Sequence, residues 1–381
     1  MENISLIQSA NYEISALRQA VIELLKPLGG MTAFVNRGER ILLKPNMLSA
    51  KKPEQAVTTH PSLVRVVADL VREAGGIVLI GDSPGIGGFQ RVAEKSGIAS
   101  AARESGAELV EFNDVVSMKG SGTFRQIHLA RAYIEADKVI NLPKLKTHEM
   151  MTMTCAVKNL FGAVVGTEKA GWHLKAGTSR EQFARLLLEI YLLKKPALNI
   201  VDGILAMEGD GPGSGDPVQL GILIAGVNPV AVDLVAGILA GIPSDQLHIE
   251  LQAAAMGLPG STLDEISICG TPLESLQGAC FKLPRGLDVQ FGLPGFLKKS
   301  LKRYLTSFPA ADKDRCELCG ICREACPPTA IAIKNSVLSV DNARCIRCWC
   351  CRELCPYDAM TVKKSLLLSL MTALSKKRDR S

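Results

Sequence analysis

Eight cysteines in two matched runs constrain this chain more than any other feature. Cys316, Cys319, Cys322 and Cys326-Pro327 are followed by Cys345, Cys348, Cys351 and Cys355-Pro356. Each run reads C-x2-C-x2-C-x3-C-P, the bacterial pattern for two [4Fe–4S] clusters. Three cysteines on one tight loop can bring their thiolates to three irons of one cubane, while the fourth in each run serves the other cluster. The spacing therefore groups Cys316, Cys319, Cys322 and Cys355 around one cluster, and Cys345, Cys348, Cys351 and Cys326 around the other. Cys350 fits neither register and reads as a bystander thiol close to a cluster. Short strands expected at 330–334 and 360–363 make the segment a repeated loop–helix–strand unit.

Zinc and disulfides are the competing uses of cysteine. A zinc site takes four ligands, usually as two C-x2-C pairs, and leaves the double run unexplained. A disulfide scaffold belongs to short secreted chains. Residues 1–10 carry Glu2 and lack the basic and apolar regions of a signal peptide. Cys155, Cys269 and Cys280 lie outside the cysteine-rich segment and show no pairing pattern. Clusters need reduced thiolates, so the expected compartment is the cytoplasm.

At 381 residues, 47% hydrophobic and 22% charged, the chain is long enough for a large domain plus a small one. Aromatic residues are scarce (4%) and glycines plentiful (34), which suits an aliphatic α/β core with glycine-bearing loops. The net charge of +6 comes partly from the tail at 376–380. No nucleic-acid module accompanies it, so no specific nucleic-acid binding is expected. Residues 220–242 are the most membrane-like, but Asn228-Pro229 and Asp233 fall at their middle. A central Asp costs about 2.5–3.5 kcal/mol in a membrane helix, so a buried strand and helix are expected there and no transmembrane segment.

The expected layout is an α/β domain over 1–277, a connector over 278–311, a double-cluster domain over 312–364, and an apolar helix with a basic tail over 365–381. The connector contains a basic amphipathic stretch at 296–308. It and 366–374 leave peripheral membrane contact open, with packing on the large domain as the plainer use.

Helical periodicity marks 12–28, through Ile14, Leu17, Val21, Leu24 and Leu25. Apolar runs at 40–44, 77–80, 108–112, 137–142, 197–201, 220–225 and 265–269 read as strands. Helices are expected at 62–74, 90–105, 151–165, 179–193, 229–240 and 245–256. Segments 143–148, 166–177 and 208–216 read as loops. Strands alternating with helices predict a mostly parallel sheet covered on both faces.

In such a sheet, ligands bind beyond the C-terminal strand ends. The loops there carry Lys44 and Asn46, Asp82, Lys144, Lys146 and His148, Asp202, and Glu208, Asp210 and Asp216. Lys44, Asn46, Lys144, Lys146, Lys158 and Asp210 are candidate substrate-binding residues for an anionic small molecule. His148 and His60 are candidate catalytic residues for proton transfer, with Asp82 or Asp210 to orient them or hold a metal, and His173 is a further candidate acid, base or ligand. The glycines at 85–88 match a dinucleotide fingerprint only in part, since Gln90 stands where its third glycine belongs. The acidic loop at 208–216 could take a divalent cation through oxygen ligands, or be a plain mobile lid. An added organic cofactor or divalent metal stays open.

Several motifs together carry a resemblance: K-P-N at 44–46, T-H-P at 59–61, G-D-S-P-G at 81–85, N-L-P-K-L-K-T-H at 141–148, V-K-N-L-F-G at 157–162, D-G-I at 202–204, E-G-D-G-P at 208–212 and V-A-V-D at 230–233. In this order they resemble domain-of-unknown-function family 362, whose members are often fused to a C-terminal double-cluster ferredoxin. The resemblance spans roughly 38–270. It implies the domain layout and a common site for the loop residues, and it names no reaction. The leading expectation is an iron–sulfur oxidoreductase or electron-transfer protein served by a redox partner protein. The alternatives are a ferredoxin-type carrier whose α/β domain only docks that partner, and an iron–sulfur assembly or maturation factor.

Overall fold

The computed structural model describes residues 1–85, 88–120, 122–166, 168–176, 179–276, 278–284 and 307–363. Nearly all of the amphipathic stretch expected at 296–308, and all of that at 366–374, lie outside the described residues.

The strands are β1 Glu2–Gln8, β2 Arg40–Pro45, β3 Ile77–Asp82, β4 Glu108–Glu111, β5 Val115–Lys119, β6 Gln126–Ala130, β7 Lys138–Leu142, β8 Lys144–His148, β9 Thr152–Thr154, β10 Leu198–Glu208, β11 Asp216–Gly226 and β12 Ile266–Gly270. The helices are α1 Ile14–Leu25, α2 Pro61–Glu73, α3 Phe89–Lys95, α4 Ile98–Ser105, α5 Arg131–Glu135, α6 Ala156–Asn159, α7 Glu168–Ala176, α8 Arg180–Leu193, α9 Pro229–Leu239, α10 His248–Ala255 and α11 Leu273–Leu276. One mixed sheet runs β12-β1-β11-β10-β7-β2-β3-β4, with β8 attached to β10 and β9 to β8; β5 and β6 form a separate hairpin. From β10 through β4 along this order the neighbours are parallel. β11 is antiparallel to both β10 and β1.

Burial on both faces explains the unbroken apolar strands. Ile41 and Leu43 of β2 pack into a core with α1 to α4, while Leu42 between them packs on the opposite face with α8. Val78, Ile80 and Leu79 of β3 divide in the same way. A third core lies between α9 and the strands β1 and β11. After β2 the chain winds outward through β3 and β4, and later returns to place β7 on the other side of β2. That reversal makes β2/β7 a topological switch point, where a crevice opens beyond the strand ends.

Four expectations are corrected. The segment 143–148 is a strand, β8, with every residue buried. Pro143 interrupts what would be a single strand with β7, and its carbonyl accepts the Asp202 N–H at 2.9 Å. The helix expected at 151–165 is instead β9, α6 and a 3-10 turn at Leu160–Ala163. The loop expected at 166–177 contains α7, which buries Trp172, His173 and Ala176. The helix expected at 90–105 is two helices, because Gly97 adopts a left-handed φ of 78° between them. β1 was not anticipated, although Ile4 and Leu6 alternate with polar Asn3 and Ser5.

The cysteine-rich unit contains β13 Phe308–Ala311, β14 Ile331–Lys334, β15 Val337–Val340 and β16 Met360–Lys363, with short helices at Ile321–Glu324 and Cys350–Glu353. β13 pairs with β16, and β14 with β15. The unit thus takes in 308–311, which the sequence reading had left in the connector.

Candidate functional site

A cavity of about 320 Å³ lies where the switch-point crevice meets the cysteine-rich unit. Asn46, Asp82, Lys146, Lys158, Asn159 and Lys169 contribute from the α/β domain. Glu324, Ala325, Cys350, Glu353 and Leu354 close it from the cysteine-rich side.

Strand geometry explains how β8 feeds this site. Alternate residues of a strand share a face, so Lys144, Lys146 and His148 project together while Leu145 enters the core beneath α9. Lys146 Nζ donates to Asn46 Oδ1 at 3.1 Å and to the Val57 carbonyl at 2.7 Å. Burial, reinforced by nearby Lys158, pushes its pKa down to about 7. His148 Nδ1 accepts the N–H groups of Met150 and Met151, and its Nε2 lies 2.9 Å from Glu353 Oε1. Burial lowers the His148 pKa to about 4, so the imidazole is neutral near pH 7.

A line of buried amides fixes the floor. Asn46 Nδ2 donates to Asn159 Oδ1 (2.9 Å), Asn159 Nδ2 to Asn141 Oδ1 (2.8 Å), and Asn141 Nδ2 to Asn199 Oδ1 (2.9 Å). Every member is satisfied, which makes such a network rigid. Asp233 on α9 accepts the N–H groups of Ala156 and Val157, at 2.5 and 3.0 Å, anchoring the short helix that carries Lys158 and Asn159.

The polar groups reaching the cavity are unevenly partnered. Lys169 donates to the carbonyls of Ser83 and Pro84, and burial pushes its pKa down to about 8. Asp82 Oδ1 is 2.7 Å from Lys44 Nζ, and Asp82 Oδ2 accepts the Met47 N–H at 2.8 Å. Among the described residues, Thr154 Oγ1 and His173 Nδ1 are buried without a hydrogen-bond partner. His173 stacks on Phe183 with centroids 4.3 Å apart, and burial lowers its pKa to about 3.

Of the residues anticipated from sequence, Asn46, Asp82, Lys146, Lys158 and His173 line the cavity. Lys44 stands directly behind Asp82, and His148 behind Glu353. The other three lie elsewhere. Lys144 is fully buried against Asp202 (2.8 Å) and the Tyr12 hydroxyl (3.1 Å). His60 stacks on Tyr12 with ring centroids 3.6 Å apart and caps α2 through Nδ1. Asp210 lies 3.0 Å from Arg352, in a separate polar cavity. Lys169, Thr154 and Glu353 were not anticipated. Glu353 carries no local signal of its role, since only tertiary contact brings it to His148.

Cys316, Cys319, Cys322 and Cys355 line one small cavity, and Cys326, Cys345, Cys348 and Cys351 line another together with Cys350. The Sγ of Cys326 accepts the Ala330 N–H and the Sγ of Cys355 accepts the Ala359 N–H, both at 3.2 Å. Among the described residues, no three His, Cys, Asp or Glu side chains converge on the position of a single metal ion.

The family model described as "Domain of unknown function (DUF362)" matches residues 41–237, more than half the chain. The chain belongs to the DUF362 family. A relative, the thylakoid-associated protein sll1697 of Synechocystis sp. (strain ATCC 27184 / PCC 6803 / Kazusa), is 38% identical over 309 residues, covering 81% of this chain and 96% of that one. Among solved structures, the lactate racemase apoprotein from Thermoanaerobacterium thermosaccharolyticum matches with a TM-score of 0.43 and 10% identity, over 64% of this chain and 58% of that one. The DUF362 match contains β2, β3, β7 to β10, α6 and α7, and with them the α/β side of the cavity. Among the described residues, no helix is long and apolar enough to cross a membrane.

Proposed function

We propose that this DUF362 protein is an iron–sulfur electron-transfer protein whose α/β domain binds a small anion beside the cysteine-rich unit. The carrying observation is that Cys350 lines both the α/β cavity and the cavity of the second cysteine set. The donors fit two [4Fe–4S] clusters: four thiols of the spaced runs surround each cavity, Cys350 adding a fifth to the second, and one thiol in each set crosses over from the other run, as the bacterial pattern requires. Backbone N–H donation to Cys326 and Cys355 stabilises the thiolate form that ligation needs. Such clusters, when bound, supply one-electron transfer at potentials set by charge, hydrogen bonds to sulfur and exposure.

The chain's own residues supply the rest. Lys158 is partly accessible and makes no hydrogen bond or ion pair among the described residues, so its ammonium is available to an anion. Lys169 adds positive charge, and Thr154 Oγ1 and His173 Nδ1 offer unused hydrogen-bonding capacity. Lys44 and Asp82 cancel one another, leaving Glu353 and the more exposed Glu324 as the opposing charges. The balance favours an anion of low charge. Lys146, with its pKa near 7, is the group placed to hold or release a proton there. His60 and Lys144 serve the fold beneath the site. We place the protein in the cytoplasm, served by a redox partner protein. Any association like that in its relative's name would be peripheral.

Anaerobic purification followed by iron and sulfide analysis, EPR after dithionite, and native mass spectrometry tests this reading. About eight irons per chain are expected from two four-iron clusters, with a co-purified small anion whose mass disappears in Lys158→Ala while iron is retained. Zinc, or no metal, would remove the electron-transfer function. Full iron with unchanged ligand mass in Lys158→Ala would remove the anion site.

A further inference from the structure

The cavity between the α/β domain and the cysteine-rich unit has two unlike kinds of wall. Lys146, Lys158, Lys169, Thr154 and His173 bring polar groups, while Leu48, Phe161, Ala170, Pro212 and Leu354 bring hydrocarbon. The apolar residues come from separate segments and meet in space. A Cβ added to Gly85 would stand 3.1 Å from Leu354 Cδ2 and 3.4 Å from Leu48 Cδ1. One added to Gly213, next to Pro212, would stand 3.7 Å from Leu48 Cδ2. Leu48, Pro212 and Leu354 thus form one patch. Phe161 is held edge-on against His173 and Phe183, with ring centroids 5.8 and 5.4 Å away. Trp349, just before Cys350, is buried in the same core as Phe161 and Phe183, which fixes the cysteine-rich wall against the α/β one.

The donors still free decide what kind of anion fits. A phosphate is usually cradled by backbone N–H groups. Here those N–H groups are committed. Ser83 donates to the Gly162 carbonyl (3.2 Å), Gly85 to the Leu48 carbonyl (2.9 Å), Gly166 to Ser83 Oγ (3.3 Å) and Lys169 to the Gly166 carbonyl (3.3 Å). The side-chain amides of Asn46 and Asn159 are committed within the floor. An ammonium has three N–H groups. Lys146 gives two of them to Asn46 and Val57, and Lys169 gives two to Ser83 and Pro84. Lys158 keeps all three among the described residues. Glu353 and Glu324 stand on the cysteine-rich wall, so a second negative charge on the ligand would be repelled there.

We infer that the anion is a monocarboxylic acid with an apolar body, aromatic or branched, its carboxylate on Lys158 and its body against Leu48, Phe161 and Leu354. The inference deepens the anion-site reading above and rests on it. At about 30 Å³ for a water-sized group, the 320 Å³ cavity holds about ten such groups. Phenylacetate matches that size.

Equilibrium dialysis of the anaerobically purified full chain, first freed of co-purified ligand, tests the class with four probes: phenylacetate, acetate, benzylphosphonate and phenylmalonate. Phenylacetate should bind at least about tenfold tighter than acetate, the scale on which a pocket distinguishes hydrocarbon, and tighter than the phosphonate and the dicarboxylate. Leu48→Ala should weaken phenylacetate about tenfold and leave acetate unchanged, and Lys158→Ala should abolish binding of both. If Leu48→Ala does not fold, the wild-type series alone decides. Equal binding of acetate and phenylacetate would overturn the apolar body. Benzylphosphonate or phenylmalonate binding as tightly as phenylacetate would overturn the monocarboxylate. Binding of none of the four, with the co-purified mass still lost in Lys158→Ala, would overturn the class and keep the site. Binding of none, with that mass unchanged in Lys158→Ala, would remove the anion site on which the inference rests.

Discussion

Lys44 Nζ and Asp82 Oδ1 lie 2.7 Å apart at the ends of adjacent parallel strands, both buried, with Gly162 packed against the pair. The contact joins β2 to β3 at the mouth of the crevice. It also explains why a lysine, an aspartate and a glycine far apart in sequence occur in three of the recurring motifs.

Replacing Asp82 with Asn should leave the Lys44 ammonium buried without its counter-ion. Breaking one side of a buried pair costs about 3–5 kcal/mol, so urea unfolding should show a loss in that range. A change below about 1 kcal/mol, the range of an exposed pair, would mean that the pair is not held as a buried ion pair.

Gly162→Ala attacks the same pair sterically. A Cβ there would stand 2.0 Å from Asp82 Oδ1 and 2.5 Å from Lys44 Nζ. Overpacking of this kind costs about 1–3 kcal/mol. The variant should melt earlier than wild type and retain less co-purified anion. An unchanged melting temperature would show that the strand ends separate freely.

Lys146 gives a pH signature. Its folded pKa, near 7, is below the ordinary lysine value of 10.5, so between these values the unfolded chain binds more protons. Stability from this group is complete above about pH 10.5, falls as pH drops toward 7, and is level below that. Lys146→Met, which carries no charge to bury, should therefore gain stability over wild type at pH 7, with the difference shrinking toward pH 10. Thermal unfolding of both proteins across this range measures the effect, and a constant difference would place the Lys146 pKa outside the window.

Arg352 spans Glu149 and Asp210, lying 3.0 Å from Asp210, and so ties β8 and the β10–β11 hairpin to the cysteine-rich unit. Arg352→Ala leaves Glu149 wholly buried and uncompensated, a loss of about 3–5 kcal/mol. Limited proteolysis should then release the cysteine-rich unit before the α/β domain is cut. Cleavage in the opposite order would argue that Trp349 alone holds the units together.

His60→Ala is the contrasting case. The side chain caps α2 and stacks on Tyr12, away from the cavity. The expected cost is about 0.5–2 kcal/mol, that of a lost helix cap, with anion retention unchanged. Loss of the anion without loss of stability would bring His60 back into the site.

The strand cores were legible because burial on both faces leaves plain apolar runs, as in Ile41-Leu42-Leu43 and Val139-Ile140. β8 was not, for a physical reason. Its Lys144, Lys146 and His148 share one face, and that polar face meets Asp202, Asn46 and Glu353 where a polar strand face usually meets water. Functional strands break the usual pattern in this way. α7 was read as a loop because Gly166 and Gly171 flank and interrupt it, and the burial of Trp172 and His173 depends on packing that local sequence does not display. The meeting of Cys350 and Glu353 with the α/β site depended on docking, which no periodicity encodes.

The shared wall makes the site conditional. Cys350, Glu353 and Leu354 belong to a segment synthesised after every α/β residue of the cavity, so a nascent chain holds only an open crevice until its end emerges. Conditions that prevent the cysteine-rich unit from folding would leave the same half-site in the finished protein. The complete cavity is thereby a two-key lock, assembled only when both units are folded together.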